Sequence, residues 1–181
     1  MSYWLTSDWH LWHSNIILYE KRPFVDYIQM NDEIKKRHNE VVKKNDIVIN
    51  LGDVAFVHKE ALKDYMSTIN GRNWLIKGNH DNHTDAWYLD VGFEKVFDMP
   101  IIFKKFFILS HEPVYLNENM PYVNIHGHLH SQKMQGNHYI NVGVENWNYY
   151  PVNFDTIRKL VGINENQKYD FPKKDCQKEN Q

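Results

Sequence analysis

The stretch "DIVINLGD", residues 46–53, decides how the rest of the chain is read. Its apolar run from Ile47 to Leu51 is nearly continuous. A strand with one wet face would alternate apolar and polar residues; a continuous run suits a strand covered on both sides, inside a layered sheet. The run then stops at Gly52 and delivers a carboxylate, Asp53. In α/β sheets, reactive groups collect just past the carboxyl ends of strands, where loops converge.

Working outward, the same grammar repeats. "YWLTS" (3–7) is a short aromatic strand that stops at Asp8. "MNDEIKKRHNEVVKK" (30–44) reads as a helix with Asn31 as its N-cap and Ile34, His38, Val41 and Val42 near one face. "HKEALKDYMSTI" (58–69) is helical by spacing, "NWLIKGNHD" (73–81) is another short strand, and a helix is expected around 83–90. In the second half, 94–113 reads as two or three strands with turns near Met99-Pro100 and Lys104-Lys105. "YVNIHGH" (122–128) and "HYINVGV" (138–144) read as two more, and "NFDTIRKLV" (153–161) as a helix capped by Asn153. The order βαβαβα, then mostly β, then α predicts a layered α/β protein with sheets in the middle and helices outside. One domain is expected over residues 1–163, followed by a polar, lysine-rich, flexible tail over 164–181.

Composition removes several classes of function. The net charge is −2, which argues against a nucleic-acid coat, a stable nucleic-acid partner or a polybasic membrane surface. The single cysteine, Cys176, rules out an internal disulfide and disfavours a thiolate metal cage. "MSYWLTSDWH" has no basic segment followed by an apolar core, and no stretch approaches ~18 consecutive apolar residues. A cytoplasmic protein without membrane association is expected.

What remains is the polar set at the strand ends. They offer Asp8 and His10 in "SDWH", Asp53 in "LGDVAF", and Asn79, His80 and Asp81 in "KGNHD". Later come Ser110 and His111 in "LSHEP", then His128 and His130 in "NIHGHLH". Every end brings an imidazole, carboxylate or carboxamide. That donor mixture suits borderline divalent ions such as Mn²⁺, Fe²⁺, Zn²⁺ or Co²⁺. There are more donors than one tetrahedral ion needs, which points to two ions, about 3.5–4 Å apart in hydrolytic sites.

This ordered set resembles the calcineurin-like metallophosphoesterases, whose pattern is D-x-H, G-D, G-N-H-D/E, a lone His and G-H-x-H. The resemblance runs from about Tyr3 to Phe154 and is closest to small bacterial and phage members, through "HLWHSNII". It implies a four-layer α-β-β-α sandwich of two mixed sheets flanked by helices. It also implies two divalent ions, manganese foremost, with iron, zinc, nickel or cobalt as alternatives. Asp8, His10, Asp53 and His130 would hold the first ion; Asp53, Asn79, His111 and His128 the second, with Asp53 shared. The implied activity is a phosphoric ester hydrolase in which a metal-bridging hydroxide attacks phosphorus. His80 would stabilise the transition state or protonate the leaving group, and Asp81 would orient. His126 lies outside the motif and is read as structural.

One position departs from the pattern. Many relatives carry an acid or Asn three residues after the Gly-Asp aspartate; here that residue is Phe56, so a carboxylate that orients His80 must come from elsewhere. Trp12, His13, Asn15 and Arg22 are candidates for substrate contact, with Trp9, Arg72, Lys77 and the segment 145–151 as further possibilities. No large insertion separates the motifs. An open site for a small phosphoester, nucleotide-type included, is expected, with diesters preferred. A monoesterase and a non-catalytic scaffold of the same fold are the alternatives.

Overall fold

The computed structural model describes residues 1–117 and 119–162. The expected tail at 164–181, with Cys176, lies outside the described residues.

Numbered in chain order, the strands are β1 (Tyr3–Thr6), β2 (Ile47–Asn50), β3 (Arg72–Ile76), β4 (Lys95–Phe97), β5 (Ile101–Phe103), β6 (Phe107–Leu109), β7 (Val123–His126), β8 (Tyr139–Asn141) and β9 (Val152–Asn153). The helices are α1 (Ser14–Tyr19), α2 (Tyr27–Val41), α3 (Lys59–Thr68), α4 (Asp85–Val91) and α5 (Phe154–Leu160). The first sheet has the order β4-β3-β2-β1-β9 and the second β5-β6-β7-β8. Within the first, β1, β2, β3 and β4 run parallel and β9 antiparallel; within the second, β5 is antiparallel to β6, and β6, β7 and β8 run parallel. Both sheets are therefore mixed, and helices flank them, as the resemblance implied.

Residue type explains the layering. All of β2 is buried, as its unbroken apolar run requires. Leu5, Ile47, Ile49 and Ile76 of the first sheet pack with Phe103, Phe107, Leu109 and Ile125 of the second, and Phe154 and Ile157 of α5 join them. On its other side the first sheet is covered by α1–α4, through Ile16, Met30, Ile34, Leu62, Tyr65, Met66, Tyr88 and Val91. Each such side chain contributes roughly 1.5–3 kcal/mol by leaving water.

Several local expectations are corrected. Asn31 is not the N-cap of α2. The helix begins a turn earlier, after Asp26, whose side chain accepts from the Gln29 amide at 2.8 Å. Asn31 lies inside the helix, buried, and accepts the Trp12 amide on Oδ1 at 3.2 Å. The earlier start lets Met30, completely buried, join the core. Segment 94–113 supplies three strands, but they do not form one unit: β4 completes the first sheet and β5 opens the second. The chain changes sheets across Asp98–Pro100, and Pro100, which cannot donate to a ladder, stands directly before β5. The short α1 and β9 were not anticipated. Among the described residues no helix is long and apolar enough to cross a membrane.

Candidate metal centre

The parallel strands of the first sheet end at one rim, and the second sheet brings the ends of β6 and β7 to the same place. Asp8 and His10 follow β1, Asp53 follows β2 and Asn79 follows β3; His111 follows β6, and His128 and His130 follow β7.

The loops that carry them are conformationally unusual. Asp8 (φ 58°), His10 (φ 48°), Asp53 (φ 57°), His128 (φ 65°) and His130 (φ 49°) all occupy the left-handed region. Such residues cost of order 1–3 kcal/mol each and persist where surrounding structure over-determines them, typically at functional sites. The loops pin one another. The Asp8 amide donates to the Gly52 carbonyl and the His10 amide to the Asp53 carbonyl, each at 3.0 Å. The His128 amide donates to both Asp8 carboxylate oxygens at 3.1 and 3.0 Å. Close approach dictates two glycines: a Cβ on Gly78 would lie 2.3 Å from Asp53 Oδ1, and one on Gly127 would lie 2.4 Å from Asp8 Oδ2.

Asp53 stands at the centre. Its Oδ2 lies 3.4 Å from His10 Nε2 and 3.5 Å from His111 Nε2, so one carboxylate oxygen faces an imidazole on either side. On one side ligand atoms of Asp8, His10 and His130 fall within 4.8 Å of one another; on the other, those of Asp8, Asp53 and His111 do. Asn79 Oδ1 is 2.9 Å from His111 Nε2 and 3.0 Å from His128 Nδ1, and those two nitrogens are 3.2 Å apart.

These atoms fit divalent cations. His111 Nδ1 is 2.7 Å from the Leu51 carbonyl, which only accepts, so Nδ1 donates there and, in the neutral form of the ring, Nε2 is a bare lone pair. That lone pair faces the oxygens of Asn79 and Asp53. Acceptor against acceptor is repulsive, and a cation among them reverses the sign. Both ring nitrogens of buried His10 have no hydrogen-bond partner among the described residues, which is costly unless a ligand engages one of them.

The electrostatics agree. Burial pushes the Asp8 carboxyl up to about 7; His130 pulls it down, while Glu145 and Asp53 push it further up. Burial drives the His10 imidazole down to about 2, helped by Arg22 and the neighbouring histidines. A carboxylate this reluctant to ionise beside an imidazole this reluctant to protonate is a site short of positive charge.

The remaining candidates divide. His80 is at the mouth, about half exposed; its amide donates to Asp53 Oδ1 at 3.0 Å and its Nε2 is 4.0 Å from Asp53 Oδ2. Phe56, in the position where an acid was expected, stacks on His10 with centroids 5.6 Å apart and lies 4.3 Å from His13 and 5.2 Å from His80. Asp53 is thus the carboxylate that faces His80. Asp81 turns away from the mouth: it accepts from the amides of Gly78, Asp53 and Val54 at 2.9, 2.7 and 3.1 Å, and so orients the two loops that carry Asp53 and Asn79. Burial raises its pKa against these bonds. His13 lines the mouth, whereas Asn15 is exposed on α1 and Trp12 is half-buried, packing edge-on to Tyr65 against the helical core. Trp9 is buried, donating to Thr6 Oγ1 at 2.9 Å, so its indole does not face a ligand. His126 is fully buried with Nδ1 near the Gly127 carbonyl, a structural placement.

The basic candidates are committed elsewhere. Arg72 pairs with Glu94, and Lys77 pairs with Asp85 and Asp98 at 2.9 and 2.6 Å. Arg22 is buried beneath the site, ion-paired with Glu145 at 2.5 Å, and not at its surface. Glu145 enters the sequence reading only within segment 145–151, as a possible substrate contact. Extending the strand-end reading to β8 would have found it, four residues past Asn141.

Fold and site together define an α/β protein with a histidine- and carboxylate-lined rim, across two sheets, whose donors suit divalent cations. The chain belongs to the calcineurin-like phosphoesterase family, whose model it matches over residues 1–177. Members of that family are metal-binding hydrolases of phosphoester bonds. Over 167 residues the chain is 34% identical to an uncharacterized protein of Methanocaldococcus jannaschii, covering 87% of this chain and 90% of that one. It is also similar to a crystal structure of a protein of unknown function from Aquifex aeolicus, with TM-score 0.68, 26% identity and coverage of 88% and 98%. The fold is shared with a nuclease of Pseudomonas putida, with TM-score 0.50 and 20% identity over 71% of this chain and 60% of that one.

Proposed function

We propose that the chain is a dinuclear metal-dependent phosphoric ester hydrolase that prefers small or nucleotide-type phosphodiesters and works in the cytoplasm with manganese. The observation that carries this reading is the single Asp53 oxygen, Oδ2, held 3.4 Å from His10 Nε2 and 3.5 Å from His111 Nε2. One anionic atom serving two donor sets is what a pair of neighbouring cations needs. Asp8, His10, Asp53 and His130 would hold the first ion, and Asp53, Asn79, His111 and His128 the second. When bound, the ions lower the pKa of coordinated water and take up phosphoryl charge.

The chain's own groups do the rest. His80 stands at the mouth with its backbone fixed on Asp53 Oδ1, so its imidazole offers a hydrogen bond, and then a proton, to the departing oxygen. Phe56 and His13 form an aromatic wall beside it, against which the leaving group lies. The diester preference follows from charge. Arg22, Arg72 and Lys77 are each paired with carboxylates, so a substrate phosphate meets the ions and His80 without help from these three side chains. That suits a monoanionic diester better than a dianionic monoester.

The test is turnover of bis-p-nitrophenyl phosphate, p-nitrophenyl phosphate and cyclic nucleotides by metal-stripped protein reloaded with Mn²⁺. Diester cleavage that needs metal and exceeds monoester cleavage is expected. A faster monoester overturns the preference; inert protein with Mn²⁺, Fe²⁺, Zn²⁺, Ni²⁺ and Co²⁺ alike overturns the enzymatic reading.

A further inference from the structure

Beneath the first-ion ligands lies a buried ion pair that the motif pattern does not include. Arg22 sits where the chain leaves α1, and Glu145 in the turn after β8; they are 123 residues apart in sequence. The guanidinium side chain is completely buried and the carboxylate is 7% exposed. Arg22 Nη2 and Nε donate to Glu145 Oε1 at 2.5 and 3.0 Å. The same guanidinium donates through Nη2 to the Asp8 carbonyl at 2.7 Å and through Nη1 to the Trp9 carbonyl at 2.9 Å. Glu145 Oε1 in turn lies 3.1 Å from His130 Nδ1, so a proton on Nδ1 is donated to it and Nε2 is left as the lone-pair nitrogen.

The pair therefore touches two of the four first-ion ligands, Asp8 at its carbonyl and His130 at Nδ1, and the Trp9 carbonyl between Asp8 and His10. It fixes the tautomer and ring of His130. It also clamps the backbone of the left-handed Asp8–His10 segment, where the chain has to hold an uncommon conformation at both ligands. We infer that Arg22 and Glu145 are positioning residues for the first ion, preorganising Asp8, His10 and His130 before the cation arrives; the ligands particular to the second ion, Asn79, His111 and His128, have no hydrogen bond or ion pair to either among the described residues. The second set has its own support: the Leu51 carbonyl fixes His111, and Asp81 holds the loops that carry Asp53 and Asn79. A buried Arg–Glu pair is a poor source of stability in itself, because desolvation offsets the attraction. Its position against a ligand's far nitrogen gives it a purpose, since groups that orient a metal-bound histidine set the site's affinity.

This inference rests on the two-ion reading above, and the experiment separates the two. Metal-free protein is titrated with Mn²⁺ by calorimetry and equilibrium dialysis, with no ester present. The parent chain is expected to take up two ions. Glu145→Gln keeps the volume and an acceptor but removes the charge, and is expected to weaken one of the two by about 10- to 100-fold and leave the other unchanged. A purely structural role would lower both together or neither. Because Glu145→Gln strands the Arg22 charge, the double variant Arg22→Met/Glu145→Gln, which removes both charges, is measured alongside it and is expected to show the same one-site loss. Two ions bound as tightly as in the parent, or equal weakening of both, overturns the inference and leaves the proposed function standing. A parent chain that takes up one ion or none overturns the two-ion reading, and this inference with it.

Discussion

Asp53 accepts the backbone amide of His80 on Oδ1 at 3.0 Å while its Oδ2 faces the His80 imidazole at 4.0 Å. The proposed shared ligand is thus also the anchor of the loop that carries the proposed acid. In the proposed mechanism, holding cations and serving the leaving group would thus meet on one carboxylate.

Asp53→Ala removes the ligand that both sets are proposed to share. It is expected to abolish activity and to lose most bound metal, measured by elemental analysis after reloading and desalting. Retention of two ions by folded Asp53→Ala would show that the ions do not share this oxygen.

His80→Ala separates ligand from acid. His80 reaches the site from the solvent side, and its replacement is expected to leave both Mn²⁺ affinities intact while slowing turnover by about 10²- to 10⁴-fold. Metal loss equal to that of Asp53→Ala would make His80 a ligand instead.

Gly127→Ala tests the close packing of the loops. The new methyl would lie 2.0 Å from Ser7 Oγ and 2.4 Å from Asp8 Oδ2, so Asp8 has to move. Overpacking of this kind costs about 1–3 kcal/mol. A modestly lowered melting temperature with a disproportionate loss of Mn²⁺ binding is expected, although no ligand is changed.

Asp81→Ala is expected to act through the fold. The amides of Gly78, Asp53 and Val54 would lose a buried charged acceptor, at a cost of about 3 kcal/mol or more. For a chain of this size that is a fall in melting temperature of roughly 6–12 °C. Unchanged stability with lost turnover would move Asp81 into the chemistry.

His38 sets a metal-independent pH limit. It is buried on α2 against Trp9, with Nε2 donating to the Asn70 carbonyl at 2.8 Å, and burial lowers its pKa to about 4 from the ordinary 6.5. The unfolded chain therefore binds this proton first as pH falls, so the contribution is fully present above 6.5 and is lost between 6.5 and 4. The loss is on the order of 3 kcal/mol. Urea midpoints in chelator at pH 7 and pH 5 should differ less for His38→Gln than for the parent chain.

The sequence by itself determined β1, β2 and β3 of the first sheet, the helical spacing of α3, the Asn153 cap of α5 and the donor types waiting at each strand end. These are local properties: an unbroken apolar run, a glycine that stops it and the polar residue that follows are all neighbours in the chain. The tertiary structure alone decided that β4 and β5 belong to different sheets, that Trp9 turns into the core while Trp12 packs half-buried against it, and that Asp81 serves backbone amides. It also decided that Arg22 pairs with Glu145 beneath His130. None of these has a local signal, because each is settled by which surfaces are left to bury and which charges are left to neutralise once distant segments have packed together.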